Sequence, residues 1–127
     1  MTTSLKRISY VEDEPDIRAV AELALTAIGG VDIDICKDGN EALARVPDYA
    51  PDLVLLDVMM PGKDGVSVFK HMKQDARTQS IPVIFMTAKV QRQEIREYLD
   101  LGAIGVITKP FDPMTLPDDI SKLWEQR

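Results

Sequence analysis

The chain has few of the features that disulfide-bonded, membrane-spanning or nucleic-acid-binding proteins require. It contains a single cysteine, Cys36, which excludes an intramolecular disulfide and fits a reducing compartment. No run approaches the roughly 20 apolar residues that span a bilayer, and residues 1–7 lack the apolar centre of a signal peptide. The net charge of -6 argues against general binding to nucleic acids or anionic membranes, although it leaves a basic partner open. We therefore expect a cytoplasmic protein that does not insert into membranes.

Nucleotide-binding loops and histidine clusters are also missing. The sequence has neither a P-loop nor a dinucleotide fingerprint, so it gives no sign of a nucleotide cradle. Its only histidine, His71, falls on a predicted helix, and we interpret it as a surface residue rather than a phosphodonor. Cys36 ends an apolar stretch, which favours a structural role over a reactive thiol.

Short apolar runs alternate with helical patterns along all 127 residues. The predicted strands cover about Ile8–Glu12, Val31–Cys36, Leu53–Leu56, Val83–Met86 and Val106–Thr108, and the predicted helices cover about Pro15–Ile28, Asn40–Val46, Val66–Gln74, Gln91–Leu101 and Pro117–Gln126. This strict alternation favours one domain built on an open, five-stranded parallel sheet, with right-handed crossovers and helices on both faces.

Proline and acidic residues set the finer expectations. Val31–Cys36 alternates apolar and acidic residues, which is typical of a half-exposed edge strand. Pro47 is expected to end the second helix. Pro113 and Pro117 both fall where the last helix should begin, so we expect a turn from Pro113 and a helix from about Pro117.

Chemically active side chains stand where the predicted strands end. Glu12 and Asp13 follow the first strand, Asp57 the third, Thr87 the fourth and Lys109 the fifth. Open α/β sheets form their sites beyond the carboxyl ends of the strands, so these side chains should converge. Close carboxylates repel one another, and a divalent cation such as Mg²⁺ compensates them through oxygen ligands. We predict Asp13 and Asp57 as direct ligands and Glu12 as a ligand through water.

The remaining groups suit a phosphoryl group. A lysine ammonium and a threonine hydroxyl, here Lys109 and Thr87, donate the hydrogen bonds that phosphoryl oxygens accept. Without a nucleotide cradle, the simplest acceptor is a carboxylate, so Asp57 becomes a nucleophile that forms an acyl phosphate. The turn Pro61–Gly65 is expected to leave Asp57 accessible.

Four segments together resemble the receiver domain of two-component response regulators: "YVEDEPDI", "PDLVLLDVMMPGKDG", "IPVIFMTA" and "GAIGVITKPF". The resemblance covers about Lys6 to Trp124, and we read residues 1–127 as a single receiver domain. It implies a flavodoxin-like, doubly wound fold with strand order 2-1-3-4-5. It also implies that Asp57 takes a phosphoryl group from a sensor histidine kinase or a histidine phosphotransfer protein.

The resemblance extends to individual ligands. It implies that Asp13, Asp57 and the backbone carbonyl of Met59 hold Mg²⁺ with waters, and that Glu12 fills the family's other acidic position. Phosphoryl contacts fall to Thr87, Ala88 and Lys109, with Thr87 as the switch hydroxyl. The Lys109–Pro110 peptide matches a position that is usually cis. Met59 and Lys89 match positions that flank the phosphoryl group and tune its lifetime.

Two features depart from the family pattern: the pair Pro113 and Pro117 at the start of the last helix, and the residue at position 106. Receivers usually carry Tyr or Phe three residues before the lysine, and this chain has Val106. The usual coupled rotation of threonine and aromatic ring cannot then operate. Activation is expected instead to repack the surface of the fourth helix, fifth strand and fifth helix.

Four functions stay open at this level. The leading one is a non-enzymatic signalling module without its own output domain, which binds a downstream protein or relays its phosphoryl group. The second is a receiver fragment of a longer regulator or hybrid kinase. The third is a Mg²⁺-dependent phosphatase with an aspartate nucleophile, which Met59 opposes because that class usually has a second aspartate there. The fourth is a scaffold, for which Val106 is the main argument.

Overall fold

The structure is a computed structural model that describes residues 5–88 and 91–127. Within these residues the strands are β1 (Arg7–Val11), β2 (Asp32–Cys36), β3 (Leu53–Asp57), β4 (Val83–Thr87) and β5 (Gly105–Thr108). The helices are α1 (Pro15–Leu23), which continues as a π-helical segment (Ala24–Ile28), α2 (Gly39–Tyr49), α3 (Gly65–Lys73), α4 (Arg92–Leu101) and α5 (Leu116–Gln126). No helix in the described ranges is long and apolar enough to cross a membrane.

All five described strands run parallel in the order β2-β1-β3-β4-β5, which confirms the predicted doubly wound sheet. The strand order reverses beside β1, since the chain moves from β1 outward to β2 and then returns to β3. Val11 pairs with Leu56, so the next residues along, Glu12 and Asp57, leave the sheet side by side. The topology therefore places a crevice between the ends of β1 and β3.

Two apolar layers cover the sheet, and β3 supplies both. Leu53 and Leu55 pack with α1 and α5, whereas Val54 and Leu56 pack with α2 and α3. All four side chains are fully buried. Since successive strand residues point to opposite faces, an almost wholly apolar strand is what a sheet covered on both sides requires. Each such side chain contributes about 1.5–3 kcal/mol of burial free energy.

The second helix departs from its predicted end. Pro47 was expected to stop it, but α2 continues through Pro47 to Tyr49, so that prediction is wrong. Proline removes a single N–H donor, and this close to the helix end few later bonds depend on it. The N–H of Ala50 still donates to the Val46 carbonyl at 2.9 Å. Ala50 then ends the helix in the left-handed conformation, with φ of 52°.

The other proline and edge-strand predictions are confirmed. A turn over residues 113–115 precedes α5, and Pro117 lies in the first turn of that helix, where its missing N–H costs nothing. β2 lies at the edge of the sheet, and most of its side chains are only partly buried. Cys36, at the end of β2, is buried and packs in the core, which fits a structural role.

Candidate functional site

Three carboxylates meet at the carboxyl ends of β1 and β3. One ligand oxygen from each of Glu12, Asp13 and Asp57 lies within 4.8 Å of the others. Glu12 and Asp57 are almost completely buried, while Asp13 is partly buried. The convergence follows from the register, because Glu12 and Asp13 directly follow β1 and Asp57 ends the neighbouring strand.

A lysine from the far side of the sheet reaches into this acidic cluster. Lys109 Nζ donates to Glu12 Oε1 and to Asp57 Oδ1, at 3.1 Å each. The backbone places it there, because the Lys109 N–H donates to the Thr87 carbonyl at 3.0 Å and so extends β5 by one residue. The Lys109–Pro110 peptide bond is cis. Among the described residues, one ammonium thus faces three carboxylates, and the negative charge is only partly compensated.

The phosphoacceptor candidate is buried, contrary to expectation. The Asp57 side chain is 1% exposed and that of Lys109 only 14% exposed. The prediction that the turn after β3 leaves Asp57 accessible is therefore wrong for this structure. A phosphodonor would reach Asp57 only after the side chains around it move.

Electrostatics at Asp57 reflect this crowding. Burial, together with the nearby Glu12, raises the pKa of Asp57 to about 7, although Lys109 acts in the opposite direction. Burial lowers the pKa of Lys109, but the ion pairs with Asp57 and Glu12 outweigh it and raise the pKa above its ordinary value. Both shifts describe a cluster with too much negative charge for the cation it holds.

Two oxygens of the cluster fit a metal ion. Among the described residues, Asp13 Oδ1 and Asp57 Oδ2 are buried without a hydrogen-bond partner. An unpaired buried carboxylate oxygen is costly, and a hard divalent cation that prefers oxygen ligands removes the cost. The other Asp57 oxygen, Oδ1, accepts the Met59 N–H at 3.3 Å. The donor set is therefore of the kind that Mg²⁺ takes, with room in its coordination for waters.

The remaining predicted residues lie around this cluster. Thr87 is buried at the end of β4, one residue beyond the pairing of Asp57 with Met86. Ala88 follows it and is exposed. Lys89 lies outside the described residues. Val106 is half-buried on β5, where its backbone pairs with Phe85.

Sequence reasoning missed three residues that hold Glu12. The Tyr10 hydroxyl lies 3.4 Å from Glu12 Oε1, the Glu14 N–H donates to Glu12 Oε2 at 3.3 Å, and Arg18 Nη1 donates to the Glu12 carbonyl at 3.1 Å. Tyr10 could have been found, because residues two apart on a strand share a face. The Arg18 contact depends on how α1 leaves the loop, which no local pattern encodes.

Two residues interpreted as structural keep that role. Asp64 begins α3 by accepting the Ser67 N–H at 2.8 Å, as an N-cap residue does. His71 is exposed on α3, and its Nδ1 lies 2.9 Å from the Ser67 carbonyl within the same helix. Neither side chain belongs to the acidic cluster.

Several known proteins are similar to this chain in sequence. The chain is 37% identical over 111 residues to the phosphate regulon transcriptional regulatory protein PhoB of Escherichia coli, covering 87% of this chain and 48% of the relative. It is 34% identical over 116 residues to the DNA-binding response regulator MtrA of Mycolicibacterium smegmatis, covering 91% of this chain and 49% of that protein. The chain thus spans about half the length of these curated relatives.

Solved structures agree with the fold. The chemotaxis protein CheY4 of Vibrio cholerae superposes with a TM-score of 0.85 at 26% identity, covering 94% of this chain and 99% of that one. A response regulator from Desulfuromonas acetoxidans gives a TM-score of 0.84 at 29% identity, covering 95% and 98%. The family model for the response regulator receiver domain matches residues 8–121. The chain therefore belongs to the receiver domain family of two-component response regulators.

Proposed function

We propose that this receiver is switched by phosphorylation of Asp57 in a Mg²⁺-dependent reaction. One observation carries the proposal. The buried Asp57 has an unpaired oxygen, lies beside the carboxylates of Glu12 and Asp13, and accepts a hydrogen bond from the Lys109 ammonium. Structural ion pairs do not need three carboxylates for one cation. A site for a divalent metal ion does, because the ion compensates the carboxylates, and the lysine ammonium can then pair with a phosphoryl oxygen.

The proposed reaction is a transfer between two side chains. A carboxylate oxygen of Asp57 attacks the phosphorus of a phosphohistidine on a sensor kinase or phosphotransfer protein. The new P–O bond forms as the P–N bond breaks, and the electron pair of that bond returns to the imidazole nitrogen. Bound Mg²⁺ would supply charge neutralisation between the carboxylates and the phosphoryl oxygens.

Individual residues then have distinct roles in the proposal. Asp13, Asp57 and the Met59 carbonyl would hold the metal ion, with Glu12 reaching it through water. Lys109 would leave Glu12 and Asp57 and pair with a phosphoryl oxygen. This exchange keeps the ammonium compensated while it opens the site. It breaks two hydrogen bonds of 3.1 Å, one to each carboxylate.

The other phosphoryl contacts come from the end of β4. Thr87 ends the strand that pairs with β3 and Ala88 follows it, so they can approach the oxygens of a phosphorylated Asp57. The signal would then pass to the surface of α4, β5 and α5. Because Val106 replaces the usual aromatic residue, we propose repacking of this surface rather than rotation of a ring.

The output is proposed to be a protein interaction or onward phosphoryl transfer, not catalysis of a small-molecule reaction. The negative net charge favours a downstream protein with a basic surface over direct contact with nucleic acid. We place this activity in the cytoplasm.

A second candidate has its own support. The relatives in the comparison are about twice as long and are named as transcriptional or DNA-binding regulators. This chain would then be the receiver part of a longer regulator, with its output in another domain. The reading frame around the coding sequence decides between the two, since an uninterrupted frame encoding a further domain would establish the longer protein.

Intact mass after incubation with Mg²⁺ and acetyl phosphate tests the proposal. We expect wild type to gain one phosphoryl group, with no gain in EDTA and none in Asp57→Asn. Asp100→Asn, on the exposed face of α4, is the matched control and should be phosphorylated like wild type. Hydroxylamine should remove the group, as it does from acyl phosphates. A folded wild type that gains no mass would reject the proposal and favour the scaffold function.

A further inference from the structure

The side chain of Tyr10 joins the hydrophobic core to the acidic cluster. Its ring is fully buried in the layer between the sheet and helices α1 and α5. Its hydroxyl lies 3.4 Å from Oε1 of Glu12, the residue that follows β1. Glu12 is itself fully buried. The distance is long for a hydroxyl–carboxylate hydrogen bond, so the bond is weak.

Among the described residues, the Glu12 carboxylate has one charged donor, Lys109, which it shares with Asp57. Oε1 accepts from both Tyr10 and Lys109, while Oε2 accepts only the Glu14 N–H among the contacts described above. Lys109 Nζ also serves Asp57 at the same distance of 3.1 Å. When Lys109 moves to a phosphoryl oxygen, Glu12 loses its charged partner. Tyr10 stays, because its ring is fixed by core packing.

We propose that Tyr10 is a positioning residue that holds Glu12 in place for Mg²⁺ binding while Lys109 exchanges partners. The inference rests on the proposed function of the site. In this proposal the Mg²⁺ affinity depends on a residue of the hydrophobic core as well as on the carboxylates that hold the ion. A restrained carboxylate loses less conformational freedom when it takes up its position beside the metal ion.

Packing alone does not account for a tyrosine here. The neighbouring side chains of the same layer are apolar, including Ile8, Leu55 and Ile84. Phenylalanine would fill the same space without burying a hydroxyl, which costs free energy unless the group is paired. The hydroxyl therefore matters for what it contacts, and that contact is Glu12.

Tyr10→Phe tests the inference with the full chain. Calorimetric titration with MgCl₂ should give a dissociation constant about two- to tenfold weaker than wild type, the range expected for the loss of one long hydrogen bond. Phosphorylation by acetyl phosphate at a fixed, subsaturating Mg²⁺ concentration should slow by a similar factor. It should recover at saturating Mg²⁺. Tyr49→Phe is the matched control, because Tyr49 stacks on Arg7 at the amino-terminal end of β1, whereas the acidic cluster lies at the carboxyl end.

A double-mutant cycle separates positioning from general loosening of the core. If Tyr10 acts through Glu12, then Tyr10→Phe should not change Mg²⁺ affinity further in a Glu12→Gln background. An effect that persists there overturns the inference, as does Tyr10→Phe binding Mg²⁺ like wild type. In the latter case the proposed function stands. Wild type that neither binds Mg²⁺ nor accepts a phosphoryl group would overturn both.

Discussion

Lys109 Nζ lies 3.1 Å from Asp57 Oδ1, although 52 residues separate the two in sequence. The same ammonium bonds to Glu12, so a single positive charge already compensates two carboxylates of the cluster. This relationship makes Lys109 a competitor of any cation that binds the cluster. The competition predicts that Mg²⁺ affinity rises when the lysine is removed, and this change can be measured.

Replacing Lys109 with glutamine should strengthen Mg²⁺ binding. The variant removes a positive charge that already compensates Asp57 and Glu12, so the metal ion meets a more negative cluster. The metal-free variant should also be less stable than wild type, by about 3–5 kcal/mol, because buried carboxylates lose their partner. Calorimetric titration with MgCl₂ and urea unfolding in EDTA measure the two effects.

The control for this variant is Lys122→Gln. Lys122 is exposed on α5, so its loss should change neither Mg²⁺ affinity nor stability appreciably. Weaker Mg²⁺ binding by Lys109→Gln would show that the lysine organises the carboxylates rather than competing with the ion.

Asp57→Asn should stabilise the metal-free protein at neutral and higher pH. In the native state the pKa of Asp57 is raised from 3.8 to about 7, chiefly by burial. Between these values the native state binds more protons than the unfolded state, so wild-type stability falls as pH rises and levels off above about 7. The asparagine variant lacks this loss. We expect a difference on the order of 1–4 kcal/mol at pH 8.

Urea unfolding in EDTA from pH 5 to pH 8 measures this effect. The gap between the two proteins should widen with pH and shrink when Mg²⁺ is added, because the ion stabilises wild type by binding its native state. Parallel stability curves for the two proteins would contradict the raised pKa.

The close packing of Gly65 against the backbone after β3 helps to position Asp57. A Cβ there would meet the Asp57 carbonyl oxygen and come within 2.9 Å of Val58 Cα, so the chain after Asp57 would have to shift. Gly65→Ala should lower the free energy of unfolding by about 1–3 kcal/mol. It should also slow phosphorylation by acetyl phosphate at temperatures where the variant is fully folded.

Gly62→Ala is the control for backbone strain. Gly62 has φ of +79°, but a Cβ there would have no described atom within 4 Å. Its cost should be about 1–2 kcal/mol of left-handed strain, with phosphorylation unchanged. Equal rates for both alanine variants would mean that the close approach at Gly65 does not position Asp57.

Sequence periodicity was enough to predict the sheet and the helices on both of its faces. It worked because β3 and β4 are apolar up to their last residues, a pattern that only a strand buried on both sides requires. The placement of Glu12, Asp13 and Asp57 followed from the rule about strand ends. Pro47 was misjudged, because the effect of a proline depends on how many helix bonds follow it.

Side-chain contacts across the sheet were not predictable in the same way. That Lys109 bonds to Asp57 depends on the reach of a flexible side chain and on the balance of charges. The Arg18 and Tyr10 contacts to Glu12 depend on loop geometry and on a hydroxyl that adds little to a hydrophobic pattern. The positions of strand ends identify the residues of such a site. Tertiary packing decides which of those residues form hydrogen bonds and ion pairs with one another.

Cys36 should be unreactive in the native protein. Its side chain is fully buried, and burial raises the pKa of the thiol to about 12. At pH 8 the thiolate fraction is then far smaller than in the unfolded chain, and a reagent has no direct access to the sulfur. A disulfide reagent should therefore label native protein orders of magnitude more slowly than protein in 8 M urea, with Cys36→Ser as the blank.

Since labelling must pass through opening of the structure, its rate should fall further when Mg²⁺ is added and stabilises the native state. Rapid labelling of native protein, unaffected by Mg²⁺, would show that the end of β2 opens independently of the acidic cluster.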